Sequence, residues 1–257
     1  MVLLVATSLG ACRGAVEVTR TSDASEQGEA PELDWKPVVQ AFLNGLRADW
    51  NLVAATEAAH TGAFILDVRE PEEYETGFIE GAVNIPLRTL ASSLASLPGR
   101  ETETVVVDST GHRSAIGMAA LQMLGYQAAR SLEGGIDAWR AAGLPVVTSP
   151  APAPQPGATP DVDEHLRAAL DYYLGYELPG DWGAMSPTAL SEDQNRKSSA
   201  ELEAQPETFD QGRSLLVDVD DPEAFGRTAL ERSINLPLRG LAQGLDDMPL
   251  EETVQWA

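Results

Sequence analysis

Thr104-Val-Val-Val-Asp108-Ser-Thr-Gly-His-Arg-Ser114, running on into Ala115-Ile-Gly-Met-Ala-Ala-Leu-Gln-Met-Leu124, is the stretch whose reading decides the fold. Three consecutive valines, Val105 to Val107, specify a short buried strand. From Ile116 to Leu124 apolar residues recur at helical spacing and specify a core-facing helix. Only the six residues Asp108 to Arg113 lie between them, with Gly111 inside. A strand, a tight polar loop and a helix start, in that order, aim several backbone N–H groups at one point. The helix dipole adds partial positive charge there. Asp108, Ser109, Thr110, Gly111, His112, Arg113 and Ser114 therefore form a candidate anion cradle.

The flanks repeat the alternation. Pro37 to Arg47 carries apolar residues at 38, 39, 42, 43 and 46, a helical stripe with proline at its tolerated start. Asp49-Trp50-Asn51 reads as a turn holding a buried aromatic, and Ala54 to Ala59 as a short helix. Phe64 to Val68 reads as a strand, Glu72 to Thr76 as a helical turn and Val83 to Ile85 as a strand. Leu87 to Leu97 reads as a helix with Leu87, Leu90, Leu94 and Leu97 on one face. A strand near Ala128 to Leu132 and a helix over Ile136 to Ala142 close the series. Strands and helices alternating at these lengths predict an α/β domain of three layers, with a central parallel sheet covered on both faces.

Four stretches carry a family resemblance. Val107 to Ala115 resembles the active loop of the rhodanese-like (sulfurtransferase) family, which opens on a nucleophilic cysteine and closes near an arginine. Leu66-Asp-Val-Arg-Glu-Pro-Glu-Glu-Tyr74 is similar to the family's first signature and Gly77-Phe-Ile-Glu-Gly-Ala-Val-Asn-Ile-Pro86 to its second. Leu132-Glu-Gly-Gly-Ile-Asp-Ala-Trp139 is similar to its C-terminal one. The resemblance implies the three-layer fold just described, and sulfur transfer as the family activity. It also places Asp67 and Arg69 beside the catalytic face, where an ion pair or cap fixing the loop after the strand is the plainer role. At the position the resemblance gives to the cysteine, this chain has Asp108.

That residue changes the expected chemistry. Sulfur transfer needs a thiolate that attacks a sulfane sulfur and carries it as a persulfide, and a carboxylate forms none. Cys12, far upstream, is the sole cysteine of the chain. An ionised Asp108 can fill the cradle with its own charge through bonds worth about 1.5–3 kcal/mol each, or act as an N-cap-like residue before the helix. Either way the expectation is a catalytically silent loop. A hydrolase using Ser109 with His112, or Asp108 as nucleophile, is a further alternative. Residues one and three apart in a tight loop seldom converge as a triad, however, because triads are set by geometry.

Composition narrows the partners. A net charge of −23 over 257 residues, with 17 Lys and Arg against 40 Asp and Glu, argues against nucleic-acid binding. His60, His112 and His165 share no metal-ligand spacing, so no metal is expected, and no cofactor. Met1 to Cys12, ending Leu-Gly-Ala-Cys, resembles the end of a bacterial lipoprotein signal. It predicts lipidation at Cys12, localisation at the bacterial cell envelope, and membrane contact only through that lipid. The segment 13–33 reads as a flexible tether and 34–148 as the first domain.

The segment 149–162 is a proline-rich linker. Beyond it, 163–257 reads as a partial second copy. Asp218-Val-Asp-Asp-Pro-Glu-Ala-Phe225 aligns with Asp67 to Tyr74, and Asn235-Leu-Pro-Leu-Arg-Gly-Leu-Ala242 with Asn84 to Ala91. The offsets agree, since 218 − 67 = 151, 235 − 84 = 151 and 249 − 98 = 151. The same offset puts a second loop at 259, so this copy lacks its loop, the helix after it and the closing Gly-Gly element. The helix around Leu166 to Leu174 and Asp181-Trp182-Gly183 echo the start of the first copy. Two functional readings follow. One is an inactive rhodanese-like module binding a protein partner or a small anion. The other is a sulfurtransferase fragment whose working cysteine belongs to the second loop of a longer protein.

Overall fold

The computed structural model describes residues 4–8, 31–148, 161–182, 215–219, 222–228, 234–235, 237–240 and 254–255. The chain divides into two compact units, 30–178 and 1–29 with 179–257. Strand β1 (Leu4–Ser8) belongs to the latter unit. The former contains α1 (Trp35–Gly45), β2 (Leu52–Val53), α2 (Ala55–Thr61), β3 (Phe64–Asp67), α3 (Pro71–Glu75) and β4 (Val83–Asn84). It continues with β5 (Thr104–Val107), α4 (His112–Met123), β6 (Ala129–Leu132), α5 (Gly135–Ala141) and α6 (Glu164–Tyr172).

Five strands form one sheet in the order β2-β6-β5-β3-β4, with every pairing parallel. The valine run is its centre: all four residues of β5 are buried. Strand periodicity sends Val105 and Val107 to one face, into a cluster with Val53, Ala58, Phe78, Leu132, Ile136 and Trp139 from the α2 and α5 side. Val106 points to the other face, where a Cβ on Gly117 of α4 would lie 3.2 Å from its Cγ1. Glycine inside a helix costs about 1 kcal/mol against alanine. Here its lack of a side chain lets the helix lie close on the sheet and meet Leu87 and Leu90. The α/β fold with a central parallel sheet, expected from the sequence, is the fold observed.

Local differences have physical reasons. Helix α4 starts at His112, ahead of the apolar run, so Arg113 and Ser114 are helical. The expected helix over 87–97 is two 3₁₀ segments, Leu87–Thr89 and Ala91–Ser96, the second kinked where Ser93 departs from helical geometry at φ −106°, ψ 16°. Its four leucines are nonetheless buried. Trp50 is 42% exposed rather than buried, and Asn51 is 2% exposed. Both take φ 57°, and the backbone of Asn51 feeds the unforeseen edge strand β2 through its carbonyl, which accepts from Ser131 N at 2.9 Å.

Unit 30–178 runs past the linker. Helix α6, assigned from sequence to the second copy, packs against the 3₁₀ segment 91–96. It widens into a π turn, Tyr173–Glu177, that packs on 87–89. Ala169, Leu170, Leu174 and Leu178 are buried. The Arg88 guanidinium caps the end of this strap, donating to Leu174 O at 3.3 Å and Leu178 O at 3.0 Å.

In the other unit, β1 lies between β7 (Leu215–Asp218) and β9 (Val254–Gln255), antiparallel to both. Part of the run read as a leader is thus a strand here, while Cys12 and the tether fall outside the described residues. β7 pairs in parallel with β8 (Ile234–Asn235), and α7 (Pro222–Thr228) connects them. Val217↔Ile234 and Asp218↔Asn235 repeat Leu66↔Val83 and Asp67↔Asn84 at the offset of 151.

Asp67 and Arg69 are 0% and 2% exposed. Arg69 Nη2 donates to Asp67 Oδ2 at 2.7 Å and to Gly77 O at 2.9 Å, and Nε reaches both carboxylate oxygens at 3.0 and 3.1 Å. Asp67→Ala, which strands a buried guanidinium, is expected to cost about 3–5 kcal/mol, whereas Asp67→Ala with Arg69→Met costs less than the single change. Urea denaturation midpoints check both.

Candidate functional site

The loop between β5 and α4 sits at the C-terminal end of the central strand, where parallel sheets place their sites. Gly111 takes φ 100° to turn the chain into the helix, a conformation that favours glycine. A glycine N-cap has no side chain to satisfy the first N–H groups of α4. Asp108 supplies the missing acceptor. Its Oδ1 accepts from Gly111 N at 2.6 Å and its Oδ2 from Arg113 N at 3.1 Å. The side chain is 1% exposed, and Arg113 Nε stands 3.9 Å from Oδ2. The two readings left open from the sequence coincide: one carboxylate fills the cradle and caps the helix with the same two bonds.

Arg113 is held by a residue the sequence reading overlooked. Glu73 accepts from Arg113 Nη1 at 2.6 Å and Nη2 at 2.7 Å, a bidentate pair. Ser109 Oγ donates to Glu73 Oε1 at 3.1 Å and accepts from Arg113 Nη2 at 3.1 Å. The bond to Arg113, against burial, lowers the Glu73 carboxyl from 4.5 to about 2, and the same pairing raises Arg113. The available signal was the spacing Glu70-x-x-Glu73, a capping box in which Glu73 Oε2 accepts from Glu70 N at 3.2 Å. The box fixes α3, and α3 aims Glu73 at the loop.

The remaining loop residues separate by role. Thr110 and His112 are exposed. Ser114 is 0% exposed; its Oγ donates to Gly111 O of the loop at 3.1 Å and lies 2.7 Å from Ser131 Oγ on β6. Asp67 and Arg69 stay paired beneath the loop and make the structural contacts given above. For hydrolysis, Ser109 would have to pass its proton to Glu73, whose low proton affinity makes it a weak base.

Behind the loop, Gly134 and Gly135 both take positive φ, 68° and 59°. A Cβ on Gly135 would lie 2.5 Å from Ser109 C and 2.6 Å from Asp108 O. This close approach lets the start of α5 donate to the loop backbone, Ile136 N to Asp108 O at 2.8 Å and Asp137 N to Ser109 O at 3.2 Å. The loop is therefore held from below by α5 and from the side by α3. Among the described residues no group of three or more His, Cys, Asp or Glu side chains is placed to hold a metal.

The family model described as Rhodanese-like domain matches residues 51–142. A sulfurtransferase of Allochromatium vinosum is 32% identical over 83 residues, covering 32% of this chain and 77% of that protein. Thiosulfate sulfurtransferase GlpE of Pseudomonas entomophila is 30% identical over 79 residues, covering 31% of this chain and 72% of that protein. A rhodanese-related protein of Thermoplasma volcanium of known structure is 33% identical, with a TM-score of 0.36, covering 38% of this chain and 97% of that one.

Because the Glu73 carboxyl is lowered on folding, its contribution to stability is whole above pH 4.5 and is lost as the pH falls through about 2. Glu73→Gln is expected to be less stable than the wild type at pH 6. It should also lose less of its urea midpoint between pH 4.5 and 2, and denaturation at a series of pH values measures the difference.

Proposed function

We propose that this chain, which belongs to the rhodanese-like family, does not transfer sulfur through its first module, which serves as a binding module instead. The observation that carries the reading is the Asp108 carboxylate, seated on Gly111 N and Arg113 N at 2.6 and 3.1 Å. Its position is the one the family resemblance gives to the nucleophilic cysteine. A thiolate there would attack the sulfane sulfur of thiosulfate, release sulfite, and pass the sulfur from the resulting persulfide to cyanide as thiocyanate. A carboxylate offers no sulfur for that bond. It also brings a second negative charge to a site where Glu73 already neutralises Arg113, so an incoming anion meets repulsion and an occupied cradle.

The repeated register at 151 residues supports reading the second unit as a partial further copy of the first. It also keeps alive a sulfurtransferase whose cysteine belongs to that copy's loop. Leu9-Gly-Ala-Cys12 supports a lipid at Cys12 and attachment to a bacterial envelope.

The wild-type chain is expected to give no thiosulfate-to-cyanide transfer, and Asp108→Cys to gain it, because the donors that cradle the carboxylate are those that would stabilise a thiolate. Turnover by the wild type would overturn the reading. A variant that folds yet stays silent would mean that the loop has diverged in more than its nucleophile. For the anchor, the wild type expressed in bacteria is expected in the detergent phase on Triton X-114 partition and Cys12→Ser in the aqueous phase; identical partition rejects lipidation.

A further inference from the structure

The strap closes over a piece of chain that reaches both ends of the Asp108 loop. Helix α6 and the π turn lie on the 3₁₀ segments Leu87–Thr89 and Ala91–Ser96, with Leu170, Leu174 and Leu178 buried. Arg88 is gripped twice. Its guanidinium donates to Leu174 O and Leu178 O, and a Cβ on Gly175 would stand 3.7 Å from its carbonyl oxygen. From this segment two routes lead to the cradle. By hydrogen bonds, Leu87 N donates to Val68 O at 3.0 Å and Val68 N to Val107 O at 2.8 Å, and Val107 is the residue before Asp108. By packing, Leu87 Cδ1 and Leu90 Cδ2 would lie 3.5 and 3.6 Å from a Cβ on Gly117, in the helix whose first turn donates to Asp108.

The strap is also the part of the module best suited to let go. The nine residues Glu164–Tyr172 are too few for a helix to persist alone in water, where about 12–15 are needed. The turn that follows widens to π geometry, a rare form. Beneath it, the six 3₁₀ residues Ala91–Ser96 exceed the run of about three or four that such helices usually sustain. Each partner holds its shape through contact with the other, so they form a local opening unit, ordered together or loose together. We propose that the strap is a latch on the cradle. Docked, it holds the Asp108 loop closed on its own carboxylate; on release, the bonds from Gly111 N and Arg113 N open with it. The latch goes beyond the reading of the module as inactive and does not depend on it.

Hydrogen exchange of the full wild-type chain, resolved by residue in urea below the unfolding transition, tests the latch. The amides of Leu178, Gly111 and Arg113 are expected to exchange through one opening with the same urea dependence. Val105, at the centre of the sheet, is expected to need a larger one. A Leu178 opening that leaves Gly111 and Arg113 on the steeper dependence of Val105 overturns the latch. So does exchange of Gly111 and Arg113 through a smaller opening of their own. Leu174→Asp, which puts a charge at a buried strap position, is expected to speed Gly111 and Arg113 at least tenfold and Val105 less than twofold. Acceleration of Leu178 with Gly111 and Arg113 unchanged rejects the coupling. Equal acceleration of Val105 would mean that the whole module is destabilised, and the wild-type urea series, which needs no substitution, then decides.

Discussion

A helix that begins on glycine at the end of a buried strand needs an anion, and in this protein the chain provides its own. The bonds from Gly111 N and Arg113 N to Asp108 are charge-assisted, worth about 1.5–3 kcal/mol each. The acceptor is tethered five residues or fewer from both donors. A dissolved anion must therefore compete with an intramolecular ligand whose effective concentration is on the order of millimolar or higher. It must do so against the charge of that ligand. Geometry that would favour anion capture is turned into helix capping, and the choice is made by the identity of one side chain.

The family signatures are mostly scaffold. Asp67 and Arg69 fasten the end of β3 to Gly77. Asn84 Nδ2 donates to Asp67 O at 3.0 Å and Arg69 O at 2.8 Å. Tyr74 stacks on Phe78 with ring centroids 4.1 Å apart and donates to Ala82 O at 2.7 Å. The Gly-Gly pair leaves room for the loop backbone. These contacts hold the loop's shape without depending on what its first residue can do chemically. The shape of the cradle therefore does not depend on the chemistry of its first residue.

Much of this was legible along the chain, and what was missed shares a cause. The valines of β5 and the leucines at 87, 90, 94 and 97 report burial directly, because apolar periodicity follows from the faces that a sheet or helix must cover. Asp108 stood out at the start of the loop as either its ligand or a cap, and its carboxylate accepts from both Gly111 N and Arg113 N. Glu73 was not, because its partner Arg113 lies 40 residues away, and nothing in either neighbourhood announces the pair. Trp50 misled because an aromatic suggests burial, while a positive φ at two consecutive residues turns Asn51 inward instead. The strap reads along the chain as the opening of a second copy because its pattern echoes α1, and the structure adds that its leucines are buried against the first module.

Ancestry and folding thus draw different borders on this chain. The family match ends at 142, but the core that closes around Leu87 to Leu97 includes leucines as far as 178. A genetic crossover in the proline-rich stretch would carry those leucines away from the face they cover and leave that face wet. An uncovered apolar face of that kind invites association with other molecules, so the two sides of the stretch depend on each other for solubility.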